Sequence, residues 1–231
     1  MISVVRSTEQ REKAKEALRT RIVEAARDIV SEEGLDALSM RALAERIEYS
    51  PATIYLYFRD KEELLRDVVE EGFRRLSEKV QEQTDAVGPG ANAALRHRAL
   101  GRAYALFALE STAYFRVMFE LPTVARVGGH EHCMPEGRLE AASSWCHVVD
   151  TVQQAIDEGL FQMRDAQHGA IVAWGLVHGL TSLYLSGHLS AVVSGHEAFL
   201  DMLEMAMDSL GAGWRAGQAA APLTDPPKQT G

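Results

Sequence analysis

The chain has 231 residues, 46% of them hydrophobic and 25% charged, with 24 Lys and Arg against 33 Asp and Glu for a formal net charge of −9 at pH 7. That length is enough for one large domain or two small ones, the composition is that of an ordinary soluble globular protein, and no run approaches the roughly 18 uninterrupted apolar residues of a membrane helix. The acidic balance excludes a protein that coats nucleic acid non-specifically.

The charge is unevenly divided. Residues 1–21 carry six basic and three acidic side chains, while residues 61–231 carry 14 basic and 22 acidic. Repulsion from phosphate is therefore concentrated in the C-terminal part, and a specific contact with DNA elsewhere remains open. The N-terminus, polar and charged from Arg6 onward, reads as neither a signal nor a transit peptide. Two cysteines, Cys133 and Cys146, make no disulfide framework, which leads us to expect a cytoplasmic protein.

Strand signals are nearly absent and helical period dominates, so an all-α fold is expected. A first helix is expected from near Ser7, where Ser7 and Gln10 can form a capping box, with an apolar stripe of Ile22, Ala25, Ala26, Ile29 and Val30. Gly34 can close it. Ser39 caps a short second helix, with Leu38 and Leu43 as its hydrophobic staple. Ser50 caps a third, with Pro51 at its first position and Tyr49 and Ile54 as a second staple. Asp60 and Glu63 form a capping box for a fourth helix running to about Gln83. The stretch AVGPGANAA (86–94) is a breaker-rich joint. Helices follow at about 93–110 and 112–119, then a loop from Leu121 to Gly137, and helices at about 138–158, from Asp165 to about Leu185, and at about 195–211. The end of the chain from Gly217 reads as a disordered tail. The expected organisation is a DNA-binding head over 1–60, a connecting helix over 61–85, a helical regulatory domain over 86–215 and the tail over 216–231.

Residues 39–64, SMRALAERIEYSPATIYLYFRDKEEL, carry the clearest chemistry. Met40, Leu43, Ala44 and Ile47 at i, i+3, i+4 and i+7 give the second helix a buried face. A groove-reading third helix needs small or polar residues at its N-terminal end, and Pro51, Ala52 and Thr53 supply them. Tyr55 and Tyr57 can offer hydroxyls to phosphate oxygens, while Ile54 and Phe58 turn inward. Ser39, Arg41 and Ser50 at the helix starts, and Lys61 in the first turn of the fourth helix, are natural backbone clamps.

With these residues in place, the segment resembles the DNA-binding domain of the tetracycline-repressor (TetR) family of bacterial transcription regulators. The matching stretch is about 19–66, including AARDIVSEEGLDALSMRALAERI and SPATIYLYFRDKEELL. The resemblance implies a helix-turn-helix head. One departure is Glu48, at a turn position that the family usually gives to Gly or another small residue. Either this turn stands off the DNA backbone, or Glu48 accepts from a base amino group such as cytosine N4.

More weakly, about 95–210 resembles one group of regulatory domains of the same family, through AWGLVHGLTSLYL (173–185) and YFRVMF (114–119). This implies an all-helical ligand-binding and dimerisation domain whose last two long helices pair with a symmetry mate as a four-helix bundle, with Met202 and Met205 on the last of them. From the residues themselves, 170–185 are apolar on almost every face, which demands burial on two sides. Trp174, Val177 and Tyr184 are therefore expected at a two-fold interface, and Gly175, Gly179 and Gly187 would allow close approach. The expected inducer-contacting residues are Tyr104, Phe107, Tyr114 and Phe115, together with Met118, Trp145, Val149 and His178. The expected partners are operator DNA, an apolar small-molecule inducer and a second copy of the chain.

No metal or cofactor is expected. His130, Glu131, His132 and Cys133, with Cys146 and His147 further along, provide ligand types but neither a His-Glu-x-x-His nor a paired Cys-x-x-Cys spacing. A metal-sensing regulator of the same fold is the alternative reading, with a helical metallo-enzyme behind it. No nucleophile elbow, phosphate-cradling loop or nucleophile–base pair points to an enzyme.

Overall fold

The computed structural model describes residues 2–120 and 139–215, with side chains described for 9–120 and 145–215. Every regular element among them is helical, as expected. We label them α1 (Ile2–Glu33), α2 (Met40–Arg46), α3 (Pro51–Tyr55), α4 (Lys61–Val87), α5 (Ala93–Glu110), α6 (Thr112–Phe115), α7 (Leu139–Asp157), α8 (Ala166–Leu185) and α9 (Gly195–Arg215). A 3-10 turn, Leu35–Ala37, precedes α2, and a π-helical turn, Arg116–Glu120, follows α6. The expected loop from Leu121, the His130–Cys133 cluster and the tail from Gly217 lie outside the described residues.

Two compact units are present: the described residues of Met1–Glu78 with Phe107–Trp145, and those of Lys79–Leu106 with Cys146–Gly231. The divisions fall inside α4, α5 and α7. The breaker-rich joint at 86–94 thus lies within the second unit.

In the first unit the apolar stripe of α1 packs as its spacing demands. Ile22, Ala26, Ile29 and Val30 are buried, facing a core that includes Leu43, Ala44, Ile54, Phe58, Leu64, Leu65 and Val68. Each of the large aliphatic and aromatic members contributes about 2 kcal/mol by leaving water. The start of α1 departs from the reading at Ser7. It begins at Ile2, because a serine inside a helix costs only about 0.5 kcal/mol relative to alanine and nothing upstream breaks the period.

The remaining punctuation is local chemistry. Gly34, at φ 88, ends α1, with its N–H donating to the Val30 carbonyl at 3.1 Å. Ser39 Oγ accepts from the Ala42 N–H and Ser50 Oγ from the Thr53 N–H, at 3.1 and 3.2 Å. Asp60 Oδ1 accepts from the Glu63 N–H at 2.8 Å, while the Glu63 carboxylate takes the Arg59 N–H at 2.7 Å rather than that of Asp60. The first staple is buried at both ends, Leu38 and Leu43. The second is not: Ile54 is buried, but Tyr49 is 40% exposed, because the Arg21 guanidinium lies over its ring at 5.7 Å.

In the second unit, Asn92 Oδ1 starts α5 by accepting from the Leu95 N–H at 2.9 Å, and Asp165 starts α8 by accepting from the Gln167 and His168 N–H groups. Gly101 allows a close approach: a Cβ there would sit 3.3 Å from a Val177 methyl and 3.1 Å from the end of Met207. The core comprises Val152 and Ala155 of α7, Ala170, Ala173 and Val177 of α8, and Phe199, Leu203 and Met207 of α9. Arg98–Asp208 and Arg102–Glu204 pairs tie α5 to α9.

A candidate nucleic-acid interface and the regulatory side chains

The end of α2 explains Glu48. The Tyr49 N–H donates to the Ala44 carbonyl at 2.9 Å and the Glu48 N–H to the Glu45 carbonyl at 3.3 Å, which together make a Schellman closure. That motif requires a left-handed residue at its centre, and Glu48 has φ 60, the one non-glycine with positive φ among the described residues. Its place in the turn is thus set by backbone geometry, which a glycine would satisfy with less strain.

The chain then enters α3 with its core side turned in. Ile54 and Phe58 are buried at i and i+4, which forces Pro51, Ala52, Tyr55, Leu56 and Arg59 onto one outward stripe, all exposed. Tyr55 is 57% exposed and Leu56 80%. Thr53 and Tyr57 are half-buried on the flanks, and the Thr53 hydroxyl lies 2.9 Å from that of Ser50. The structure therefore brings Ser50, Pro51, Ala52, Thr53, Tyr55 and Tyr57 together around one short helix. Sequence reasoning missed Leu56, although its position two residues from both Ile54 and Phe58 already points it away from the core.

The clamps are engaged within the protein itself. Ser39 is exposed at the α2 cap, and Arg41 Nε donates to Glu45 at 3.1 Å. Lys61 Nζ donates to the Leu35 carbonyl at 2.6 Å, locking the start of α4 to the 3-10 turn. Between residues 22 and 60 there are four basic side chains against eight acidic ones. All four are ion-paired: Arg27 with Asp28, Arg41 with Glu45, Arg46 with Glu32 and Glu33, and Arg59 with Asp60. The Asp60 carboxyl is held below its usual range by the Glu63 N–H first and by Arg59 second.

The eight expected inducer-contacting residues divide between the units. In the first, Tyr114 is 1% exposed and its ring is sandwiched between the guanidinium groups of Arg27 and Arg75, at 4.7 and 4.8 Å. Its hydroxyl has no hydrogen-bond partner, and burial pushes the phenol above its ordinary pKa against the pull of the two arginines. Phe107, Phe115 and Met118 are buried in the same unit, Trp145 is half-buried, and Met118 lies against Gly72 of α4. In the second unit, the Tyr104 hydroxyl and His178 Nδ1 are hydrogen-bonded at 2.8 Å, with the Trp174 ring 5.7 Å from the imidazole and Val149 half-buried. Two clefts on the surface, of about 300 Å³ along α1 and α4 and about 220 Å³ between α4 and α5, are lined by none of the eight.

On α8 the inward and outward stripes separate. Ala166, Ala170, Ala173, Val177 and Thr181 are buried within the unit, whereas Ile171, Val172 and Leu183 are 50%, 52% and 43% exposed. Val177, expected at an interface, instead packs inside against Gly101. Trp174, Tyr184 and Met202 are half-buried, Tyr184 being stacked on Phe199 at 4.3 Å, and Met205 is 64% exposed. Space is open where a Cβ on Gly175 or Gly179 would lie. Among the described residues no group of three His, Cys, Asp or Glu side chains could hold a metal ion, and no helix is long and apolar enough to cross a membrane.

Two family models match this chain. Residues 22–68 match the bacterial regulatory proteins of the tetR family, and residues 97–207 match a tetracyclin repressor-like C-terminal domain. Over 69 residues the chain is 35% identical to the HTH-type transcriptional regulator UidR of Escherichia coli, a match covering 30% of this chain and 35% of UidR. It is 33% identical over 87 residues to the HTH-type transcriptional repressor KstR of Mycolicibacterium smegmatis, covering 38% of this chain and 43% of KstR. The chain thus spans less than half the length of the curated relatives it matches. Among solved structures, a protein of unknown function from Rhodococcus sp. RHA1 superposes with a TM-score of 0.65 at 25% identity, covering 86% of this chain and 95% of the other. The head, the helical C-terminal part and these matches agree: the chain belongs to the TetR family of bacterial transcription regulators.

Proposed function

We propose that this regulator is a ligand-responsive repressor that binds a palindromic operator as a homodimer and lets go when a small apolar inducer binds. The observation that carries the reading is the outward stripe of α3, Pro51, Ala52, Tyr55 and Leu56, held out by buried Ile54 and Phe58 and capped by Ser50. Pro51, Ala52 and Thr53 approach base edges, Leu56 suits a thymine methyl, and Tyr55 and Tyr57 contact phosphate, with Ser39, Arg41 and Lys61 alongside. Tyr55 on the outward stripe and half-buried Tyr57 on its flank offer hydroxyls to phosphate, so they position rather than specify.

Two copies pair through α8 and α9. The support is the exposed apolar face of Ile171, Val172 and Leu183 beside the open Gly175 and Gly179, with Met205 on α9. Trp174, Tyr184 and Met202 border it. A two-fold pairing sets two copies of α3 about one helical turn of DNA apart, which is why the operator is palindromic. The inducer need favour the releasing conformation by only about 1–3 kcal/mol. The Arg27–Tyr114–Arg75 sandwich joins α1, α4 and α6, so a ligand that moves α6 moves α4 with it.

The reading is tested by selecting duplexes from a random-sequence library with the full-length protein. Enrichment of a palindrome, lost in a Tyr55→Ala/Leu56→Ala variant that keeps its helical circular dichroism, supports it. Enrichment of no sequence over the starting pool would remove the DNA assignment, and a monomeric mass by light scattering would remove the palindrome.

A further inference from the structure

We propose that the N-terminal stretch of α1, residues 9–21, is a second DNA-binding element: a basic helical arm that grips phosphates flanking the sequence read by α3. The inference rests on the reading of α3 given above and adds where the binding charge comes from. Affinity for duplex DNA is supplied mainly by cations that displace counterions from phosphate. The head is short of them: residues 22–60 carry eight carboxylates against four arginines, and each arginine is held by a carboxylate. Lys61 is held by the Leu35 carbonyl.

The arm has what the head lacks. It is helical throughout, and every residue from Glu9 to Arg21 except half-buried Leu18 is exposed. Arg11, Lys13 and Lys15 enter no ion pair among the described residues. The acidic side chains Glu9, Glu12 and Glu16 fall at i, i+3 and i+7 and so share one stripe, whereas Arg11, Lys15 and Arg19 at i, i+4 and i+8 share another. Arg11, Lys15 and Arg19 thus line one side of the helix, while Lys13, at i+4 from Glu9, stands at the far edge of the acidic stripe.

Its root is fixed beside the reading head. The Arg19 guanidinium pairs with Asp67 and lies 5.2 Å over the Phe58 ring, just beyond α3, while Arg21 lies 5.7 Å over Tyr49, just before it. From Ile22, the first buried residue among those whose side chains are described, α1 continues back to Ile2 for about 30 Å, enough to run along several phosphates beyond one half-site. A stretch that buries almost no apolar surface does nothing for the core. Facing DNA, its charge pattern has a use.

The test uses the full-length protein with a duplex it has selected from a random-sequence library, trimmed to about 20 bp or extended by about 10 bp at each end. An Arg11→Ala/Lys13→Ala/Lys15→Ala variant, whose alanines favour the helix, is expected to bind the long duplex at least about tenfold more weakly at about 0.15 M salt and to flatten the slope of log Kd against log salt by about 3 to 5 for the two arms. Its affinity for the trimmed duplex should fall much less. A Glu9→Gln/Glu12→Gln/Glu16→Gln variant should bind the long duplex more tightly. Unchanged affinity and slope for both variants on the long duplex would overturn the arm while leaving the α3 reading intact. Failure of the wild type to select any duplex would overturn both.

Discussion

His97 offers a sharp quantitative test of the second unit. Its side chain is 5% exposed, both ring nitrogens lack a hydrogen-bond partner, and its imidazole lies 5.9 Å from both the Phe161 and Trp214 rings. Burial among these groups disfavours the imidazolium and lowers the pKa from 6.5 to about 4. The unfolded chain therefore binds a proton that the folded chain refuses at any pH between those values. Stability from this group is complete above about pH 6.5 and is lost as pH falls toward 4. Integrated from pH 7 to pH 5, the loss is about 2 kcal/mol. The perturbation is His97→Leu, an apolar residue of similar volume. Urea unfolding of both proteins at pH 7 and pH 5, at one protein concentration, isolates the contribution of His97, because every other titrating group is common to both. The wild type should lose about 2 kcal/mol more than the variant between the two pH values, and at pH 7 the variant should be equally stable or more stable, since no orphaned ring nitrogen remains. Parallel pH dependences in the two proteins would refute the reasoning.

Two further changes probe the first unit. Glu48→Gly, at a left-handed backbone position, should raise stability by about 0.5–1 kcal/mol in the same urea assay, the relief of strain exceeding the entropy that glycine adds to the unfolded chain. Gly72→Ala should lower it by about 1–2 kcal/mol, because its Cβ would stand 2.2 Å from Met118 Sδ, more than offsetting the gain in helix propensity, and a Gly72→Ala/Met118→Ala double variant should recover part of the loss.

Much of this molecule could be read along the chain because the interactions involved are short-range. A cap hydroxyl finds an N–H three residues on, so Ser39, Ser50 and Asp165 announced their helices, and Ile22 to Val30 showed their buried stripe by spacing alone. Where the outcome depended on a partner distant in sequence, the reading failed or stayed open. Tyr49 satisfies the pattern of a staple, yet it faces Arg21. Lys61 looks like a phosphate clamp, yet its ammonium sits on the Leu35 carbonyl. Val177 and Ile171 are equally apolar, and no periodicity in a helix apolar all round tells which of them faces inward.

By itself, the sequence determined the helical class, the family and the short capped helix at 51–55, since these follow from local hydrogen bonds, periodicity and residue type. Only the tertiary structure decided that Glu48 stands in a left-handed turn, that the head's four arginines are each paired with a carboxylate, and that the eight expected inducer contacts divide between two compact units. Charge pairing, the choice of buried face and the grouping of distant aromatic side chains are set by which helices meet, and that is a property of the packed chain rather than of any window along it.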